Sequence, residues 1–198
     1  EQSNLSLSYH HCNLASADEI NIVCKKVNET YGTASVVVNN AGIQTHQLFT
    51  EMTPEIWKQT IDINLNSAFY ICKCLVPGMI EQRFGRIVNI ASMSARRGSV
   101  RHTHYCTSKA GLLGFTRALS MEIAKYGITV NAICPGIVNT DIIKETLEVK
   151  RDVWLNEMHV KRLGQPEDIA NAVSFLVSDK SDWISGQSFD INGGILTP

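Results

Sequence analysis

The sequence has no excess of charge of either sign, and this argues against large classes of partner. Lys and Arg together number 18 and Asp and Glu together number 19, so the formal net charge is -1 at pH 7. Proteins that bind nucleic acids or membrane surfaces concentrate positive charge to displace counterions. We therefore expect no nucleic-acid partner and no membrane partner.

The chain also lacks a long apolar run and a recognisable leader. No stretch reaches the roughly 18 apolar residues that a membrane-spanning helix needs. The opening residues, EQSNLSLSYHHCNL, have neither the basic start nor the apolar middle of a signal peptide. We expect a soluble, cytoplasmic protein, and a targeting segment ahead of residue 1 stays open as an alternative.

A disulfide framework or metal centre is not expected from the cysteines and histidines. The six cysteines form no CxxC pair, and most lie in apolar runs such as FYICKCLV, where a reduced cysteine acts as a small hydrophobe. In a strand, His10, His11 and Cys12 would point to alternate faces and could not close one coordination sphere. His102 and His104 have no carboxylate or cysteine beside them in a ligand pattern.

Short β-branched runs alternate with longer segments of helical periodicity along the chain. The length predicts one domain over residues 1–198. The predicted helices cover 17–31, 53–82 with a break near Asn64, 103–126 and 166–178, and the predicted strands are VVVNN, GRIVNIAS, ITVNAICPG and GQSFDING. This alternation requires right-handed crossovers, and it therefore predicts a doubly wound α/β fold with a parallel sheet flanked by helices.

Three loops follow predicted strands and should face one crevice. They are Asn39 to Gly42, Ser92 to Ser94 and Pro135 to Thr140. Parallel sheets bind their ligands beyond the carboxyl ends of the strands, where such loops collect. We therefore expect the functional site at this edge of the sheet.

The stretch HTHYCTSKAG contains a pair with acid/base character. Tyr105 and Lys109 are one helical turn apart and share a face. An ammonium at about 4 Å contributes about 4 kcal/mol in favour of phenolate, so we expect it to lower the pKa of the phenol into a useful range. Ser92 could supply a hydroxyl to the same substrate oxygen. A solvated helix pair would give the same spacing, so the pair alone proves little.

An ordered set of motifs favours the acid/base role of Tyr105 and Lys109 over a solvated helix pair. NNAG at 39–42, DINLNSAF around Asn64, GRIVNIAS, YCTSK and ITVNAICPGIVNTD follow one another along the chain. Together they resemble the short-chain dehydrogenase/reductase family, and the resemblance runs from a strand near Tyr9 to Gly194. It implies a Rossmann-like fold and hydride transfer between NAD or NADP and a carbonyl or secondary alcohol.

The resemblance also implies roles for particular residues. Tyr105 would be the general acid/base, Lys109 would tune it and hold the nicotinamide ribose, Ser92 would polarise the substrate oxygen, and Asn64 would hold a water in a proton relay. The implied cofactor-binding residues are Asn13, Asn40, Ala41, Gly42, Tyr105, Lys109, Pro135, Gly136, Val138 and Thr140.

The substrate is less constrained by the sequence. The segment from Pro135 to Gly164 matches the family's substrate lid, although it could equally be an amphipathic surface helix. The possible lining residues are Ser92, Ser94, His102 and Trp154. Arg96, Arg97 and Arg101 lie near this region, and they could be solvated or attract a phosphate, a carboxylate or an acyl carrier.

Within the family, the chain is especially similar to 3-oxoacyl-acyl-carrier-protein reductases. An acyl thioester is therefore a possible substrate. Arg83 matches a carrier-docking position in those enzymes, whereas Tyr126 replaces a second docking arginine. Polyol, sugar and secondary-alcohol dehydrogenases remain alternatives, and by analogy the chain forms a homodimer or homotetramer.

One family element is missing from the sequence. No GxxxGxG turn, which would hold the cofactor pyrophosphate at a helix start, occurs in it. We expect either that about fifty residues precede residue 1 in an intact enzyme or that the chain is a truncated, inactive relative serving as a binding or scaffold protein. The choice between NAD and NADP rests on that same missing part.

Overall fold

The computed structural model describes residues 7–197, and within that range the strands form one parallel sheet. Asn89 in the second strand pairs with Asn39 on one side and with Ala132 on the other. Each neighbouring pair is parallel, which confirms the predicted α/β fold class. In sheet order the strands are β1 (Val36–Asn39), β2 (Gly85–Ile90), β3 (Ile128–Pro135) and β4 (Ser188–Ile191).

Helices connect the strands at nearly the predicted positions. They are α1 (Ala17–Tyr31), α2 (Pro54–Ile61), α3 (Ser67–Gln82), α4 (Ser94–Arg97), α5 (Thr103–Ile123), α6 (Lys144–Glu157) and α7 (Pro166–Leu176). The hydroxyl of Ser16 accepts a hydrogen bond from the Glu19 N–H at 3.3 Å and caps α1 as expected. Gly32, at φ 80°, ends that helix.

The predicted break near Asn64 is a change of helical form. A π-helical segment, Asp62–Asn66, joins α2 to α3 without interrupting the overall helical path. Such segments often occur at functional sites because the extra residue redirects a side chain. Here the buried residue of the segment is Asn64.

The core lies on both faces of the sheet. All six residues of β2 are buried. Ile87 packs in a cluster with residues of α1 and α3, whereas Val88 and Ile90 pack with Leu176 of α7. Because successive strand residues point to opposite faces, this strand stabilises both layers at about 1.5 to 3 kcal/mol for each large side chain that is fully buried.

The prediction of a strand near Tyr9 is wrong, because no strand forms there in the described residues. Residues 7–13 have an irregular conformation, and residues 1–6 lie outside the described range. A strand needs a partner for its backbone groups. Within residues 7–197 β1 has a strand on one side only, and its Val36 and Val38 are 43% and 41% exposed.

One helical stretch in the described range, Pro54–Gln82, is long and apolar enough by composition to cross a membrane. Core helices of soluble proteins also meet that criterion. Cys72, Leu75 and Met79 of this stretch are buried in the core cluster beside β2. The apolar composition is therefore explained by packing against the sheet.

Candidate active site

A cavity of about 440 Å³ opens at the carboxyl ends of the strands. It is lined by Asn40 and Gly42 after β1, by Ser92 and Ser94 after β2, and by residues from Pro135 to Thr140 after β3. The three loops therefore meet at one crevice, as the strand order required. Tyr105 and Lys109 reach the same cavity from the first turns of α5.

The structure brings Ser92, Tyr105 and Lys109 together in this cavity, as predicted. The Ser92 hydroxyl interacts with the Tyr105 phenol, and its oxygen accepts a hydrogen bond from the Ser94 N–H at 3.1 Å. That bond leaves the Ser92 hydroxyl hydrogen free to be donated. The Lys109 Nζ lies 5.9 Å from the centre of the Tyr105 ring.

The expected lowering of the Tyr105 pKa is wrong. Burial raises the pKa of the Tyr105 phenol, and the interaction with Ser92 opposes this shift without cancelling it. Burial also lowers the pKa of Lys109, from 10.5 to about 8. The ammonium donates a hydrogen bond to the Ile90 carbonyl at 2.7 Å instead of bonding the phenol. Removal from water therefore dominates both groups.

Asn64 holds the loop after β1. Its amide nitrogen donates to the Ile43 carbonyl at 2.9 Å and to the Ser108 hydroxyl at 3.2 Å. Its amide oxygen accepts from the Ile43 N–H at 2.8 Å. The side chain is 2% exposed, so these bonds satisfy a buried amide. They also couple the π-helical segment to the loop that contains Gly42.

Most of the residues expected to bind the cofactor line the cavity. They are Asn40, Gly42, Tyr105, Lys109, Pro135, Gly136, Val138 and Thr140. Ala41 is exposed beside the cavity and does not line it. Asn13 is exposed ahead of α1, where its side chain accepts from the Ala15 N–H at 3.0 Å. The structure does not bring Asn13 to the cavity, and its role stays a prediction.

The residues present fit a nicotinamide dinucleotide. A Cβ added at Gly42 would lie 3.2 Å from the Lys109 Nζ, so glycine leaves this ammonium accessible from the loop. Lys109 is 3% exposed and uses one of its three donors on Ile90, which leaves donors for ribose hydroxyls. When bound there, the dinucleotide supplies or accepts the hydride.

The possible substrate residues also reach the cavity. Ser94, His102 and Trp154 all line it. His102 is 6% exposed, and its two ring nitrogens lie 2.9 Å from the Gln44 amide and 2.9 Å from the Ser99 hydroxyl. Burial, reinforced by the neighbouring His46, lowers the pKa of His102 to about 4. Its imidazole is therefore neutral near pH 7 and serves as a hydrogen-bonding wall.

Helix α6 presents one face to the cavity, a feature that the sequence pattern did not lead us to predict. Thr146, Lys150 and Trp154 recur every fourth residue along α6, and all three line the cavity. The Thr146 hydroxyl lies 3.3 Å from the Nε2 of His46, which links α6 to the loop after β1. The i, i+4, i+8 spacing was the available signal, because such residues share a face.

The three arginines that the sequence groups together have separate surroundings. Arg96 pairs with Asp190 at 3.0 Å and fastens α4 to β4. Arg97 lines the cavity, whereas Arg101 does not. Among residues 7–197, no group of three or more His, Cys, Asp or Glu side chains is placed to hold a metal ion.

Comparison with known proteins agrees with this geometry. The sequence pattern of the family described as enoyl-(acyl carrier protein) reductase matches residues 2–196. A 3-oxoacyl-[acyl-carrier-protein] reductase from Chlamydia muridarum is 38% identical over 195 residues, which is 98% of this chain and 79% of the relative. An acetoacetyl-CoA reductase from Cupriavidus necator is 40% identical over 183 residues, or 92% of this chain and 74% of the relative.

A third relative, a 3-oxoacyl-[acyl-carrier-protein] reductase from Rickettsia felis, is 39% identical over 185 residues, or 93% of this chain and 75% of the relative. The similarity therefore covers nearly all of the chain, including the loops and helices that line the cavity. The chain belongs to the short-chain dehydrogenase/reductase family and is an NAD(P)-dependent oxidoreductase.

Proposed function

We propose that this protein reduces the keto group of a 3-oxoacyl thioester to a hydroxyl group, with residues 1–198 acting as one domain. The observation that carries the proposal is the meeting of Ser92, Tyr105 and Lys109 in one cavity. The relatives from Chlamydia muridarum and Cupriavidus necator carry the names of reductases of such thioesters, which supports this substrate class.

The acidities favour reduction over oxidation. Because burial raises the pKa of Tyr105, its phenol keeps its proton near neutral pH and is ready to act as an acid. In reduction, the phenol gives this proton to the keto oxygen as hydride reaches the keto carbon. Ser92 donates a hydrogen bond to the same oxygen, and the nearby Lys109 ammonium stabilises the phenolate that remains.

The two hydroxyl donors also favour a ketone over a carbon–carbon double bond. Ser92 and Tyr105 would both bond one substrate oxygen, which is the atom that takes the proton when a ketone is reduced. In reduction of a conjugated double bond the proton goes to carbon instead. The hydrogen-bonding geometry therefore supports 3-oxoacyl reduction more directly than the enoyl reduction named in the family description.

The test is a substrate comparison on the full-length protein. S-acetoacetyl-N-acetylcysteamine, S-crotonyl-N-acetylcysteamine and a secondary alcohol are each offered with NADH or NADPH, or with the oxidised cofactor for the alcohol. We expect fast loss of dihydronicotinamide absorbance with the acetoacetyl thioester. Faster turnover of the crotonyl thioester, or turnover of the alcohol alone, would overturn the proposal.

We further propose a cytoplasmic homodimer or homotetramer. Apolar side chains that remain exposed on α3 and α5 support an assembly, among them Phe69 at 44% and Met121 at 84% exposed. Carrier docking through Arg83 is less well supported, because its guanidinium donates to the Lys125 carbonyl at 3.2 Å. Light scattering after size-exclusion chromatography measures the assembly directly, and a monomer at micromolar concentration would contradict it.

A further inference from the structure

Tyr105 lies in the first turn of α5, where a helix is least able to hold its own shape. The N–H groups of a first turn have no partners within the helix, and a side-chain cap often supplies one. Within residues 7–197, the residue that precedes this helix, His102, makes no side-chain bond to those N–H groups. The position of the Tyr105 phenol therefore depends on contacts from outside α5.

The loop after β1 holds the chain immediately before this helix. The Gln47 N–H donates to the Arg101 carbonyl at 2.9 Å, and the Gln44 amide lies 2.9 Å from the His102 Nε2. Arg101 has φ 66°, in the left-handed region that residues other than glycine rarely adopt. Such a conformation persists only where the surrounding structure enforces it. The entry into α5 is therefore fixed by residues 44–47.

The contact nearest to Tyr105 in the chain is made by a buried histidine. His104 is completely buried, and its Nε2 lies 2.7 Å from the Thr45 hydroxyl oxygen. Its Nδ1 is also buried and has no hydrogen-bond partner among the residues that the structure describes. Burial lowers the pKa of His104, which keeps the ring neutral, with one ring hydrogen. Because a buried N–H without a partner is rarer than a buried acceptor without one, we place this hydrogen on Nε2, which donates it to Thr45.

The same loop supports the Tyr105 backbone through two separate routes. One is the bond from Thr45 to His104, the residue that directly precedes Tyr105. In the other, the Ser108 hydroxyl donates to the Tyr105 carbonyl at 2.8 Å and accepts from Asn64, which also holds the loop after β1. Thr45 and His104 do not line the cavity, so this support acts without a group that would touch the substrate.

We infer that His104, held by Thr45, is a positioning residue that keeps the Tyr105 phenol beside Ser92 for proton transfer. The inference rests on the proposed function for the role of Tyr105 as the acid, and it does not depend on which carbonyl compound is reduced. Without the bond to Thr45, the first turn of α5 gains freedom and the phenol meets the keto oxygen less often. A displacement of about 1 Å at a reacting group can cost on the order of a hundredfold in rate.

The chain offers a conservative change, a rescue and a matched control. Thr45→Val removes the hydroxyl and keeps the branched shape, whereas Thr45→Ser keeps the hydroxyl. Thr103→Val makes the same substitution at an exposed residue that adjoins His104 and does not line the cavity.

The first measurement is steady-state reduction of S-acetoacetyl-N-acetylcysteamine by the full-length protein with saturating cofactor. We expect Thr45→Val to lower kcat about tenfold and to change KM by less than about twofold. Thr45→Ser and Thr103→Val should keep kcat within about twofold of wild type. An unchanged kcat in Thr45→Val, or a Thr45→Ser protein as slow as Thr45→Val, would overturn the inference.

A second background separates positioning of Tyr105 from a general weakening of the fold. In Tyr105→Phe there is no phenol to position, so adding Thr45→Val should lower the residual kcat by less than about twofold. An equal decrease in both backgrounds would show that Thr45 acts independently of Tyr105, and it would refute the positioning role.

Nuclear magnetic resonance provides a readout that does not depend on turnover. In protein labelled with ¹³C at the tyrosine Cζ, comparison with Tyr105→Phe identifies the Tyr105 resonance. We expect this resonance to shift or broaden in Thr45→Val and to match wild type in Thr103→Val. If it does so while the thioester is not reduced, the positioning role stands and the proposed function fails. If the thioester is reduced while kcat and the resonance are unchanged in Thr45→Val, the proposed function stands and the positioning role is refuted.

Discussion

The ammonium of Lys109 lies 5.9 Å from the ring centre of Tyr105, and burial pushes both groups toward their neutral forms. The phenol therefore holds its proton more firmly than a free tyrosine, and the lysine holds its proton less firmly than a free lysine. The pair is consequently set to deliver a proton to a substrate oxygen near neutral pH.

The pH dependence of reduction should reflect Lys109 before Tyr105. As pH rises through about 8, Lys109 loses its charge while the Tyr105 phenol remains protonated. We expect kcat/KM for keto reduction to be level below that pH and to decrease above it. The measurement is a pH profile with saturating cofactor. A decrease that begins only beyond the ordinary tyrosine pKa of about 10 would contradict this assignment.

Replacing Lys109 should raise stability while removing activity. A pKa lowered from 10.5 to about 8 corresponds to about 3 kcal/mol against the buried ammonium, from which the bond to the Ile90 carbonyl recovers about 1 kcal/mol. We expect Lys109→Met to raise the free energy of unfolding at pH 7 by about 1 to 2 kcal/mol. Urea denaturation measures it, with the exposed Lys26→Met as control. A clear loss of stability in Lys109→Met would be the opposite result.

Asn64 should be needed for stability and for the shape of the loop after β1. Asn64→Ala leaves the N–H and carbonyl of Ile43 without their partners, which costs about 2 to 4 kcal/mol. The loosened loop should also raise the KM for the cofactor more than it lowers kcat. Steady-state kinetics and chemical denaturation test both effects, with the exposed Asn21→Ala as control. A decrease in kcat alone, with stability intact, would favour a direct role in proton relay over positioning.

Acid stability should depend on His102. Its pKa is about 4 in the folded chain and 6.5 in its ordinary state, so between those values the unfolded chain takes up a proton that the folded chain refuses. Stability contributed by the neutral ring is thus present above pH 6.5 and decreases by about 2 to 3 kcal/mol as pH falls toward 4.

The matching variant is His102→Gln. The difference between its unfolding free energies at pH 7 and pH 4.5 should be smaller than in wild-type protein, whereas the exposed His11→Gln should behave as wild type. If His102→Gln shows the full acid-induced loss, another group is responsible for it.

Local patterns predicted the elements that position the site, because those elements follow from local chemistry. The cap at Ser16, the triple-valine run of β1 and the spacing of Tyr105 and Lys109 each depend on neighbouring residues. The pKa values and the side-chain partners in the site depend instead on residues that are distant in the sequence. The pKa of Tyr105 depends on burial by several loops, and the division of Arg96 from Arg97 depends on Asp190, which lies far along the chain.

The strand expected near Tyr9 shows in the same way that local sequence alone does not decide whether a strand forms. Alternating residues make a strand possible, but only a neighbouring strand can pair its backbone groups. The spacing of Thr146, Lys150 and Trp154 shows that they share one face of α6. Which face of that helix meets the cavity depends on packing around Met158.

The central claim is that the Tyr105 phenol delivers the proton to the keto oxygen, and Tyr105→Phe tests it most directly. This variant removes one oxygen and keeps the ring, so the protein should stay folded, with an unfolding free energy within about 1 kcal/mol of wild type. We expect kcat for reduction of S-acetoacetyl-N-acetylcysteamine to fall at least about a hundredfold, with Tyr126→Phe unaffected. A Tyr105→Phe protein that keeps kcat within about twofold of wild type would contradict the account.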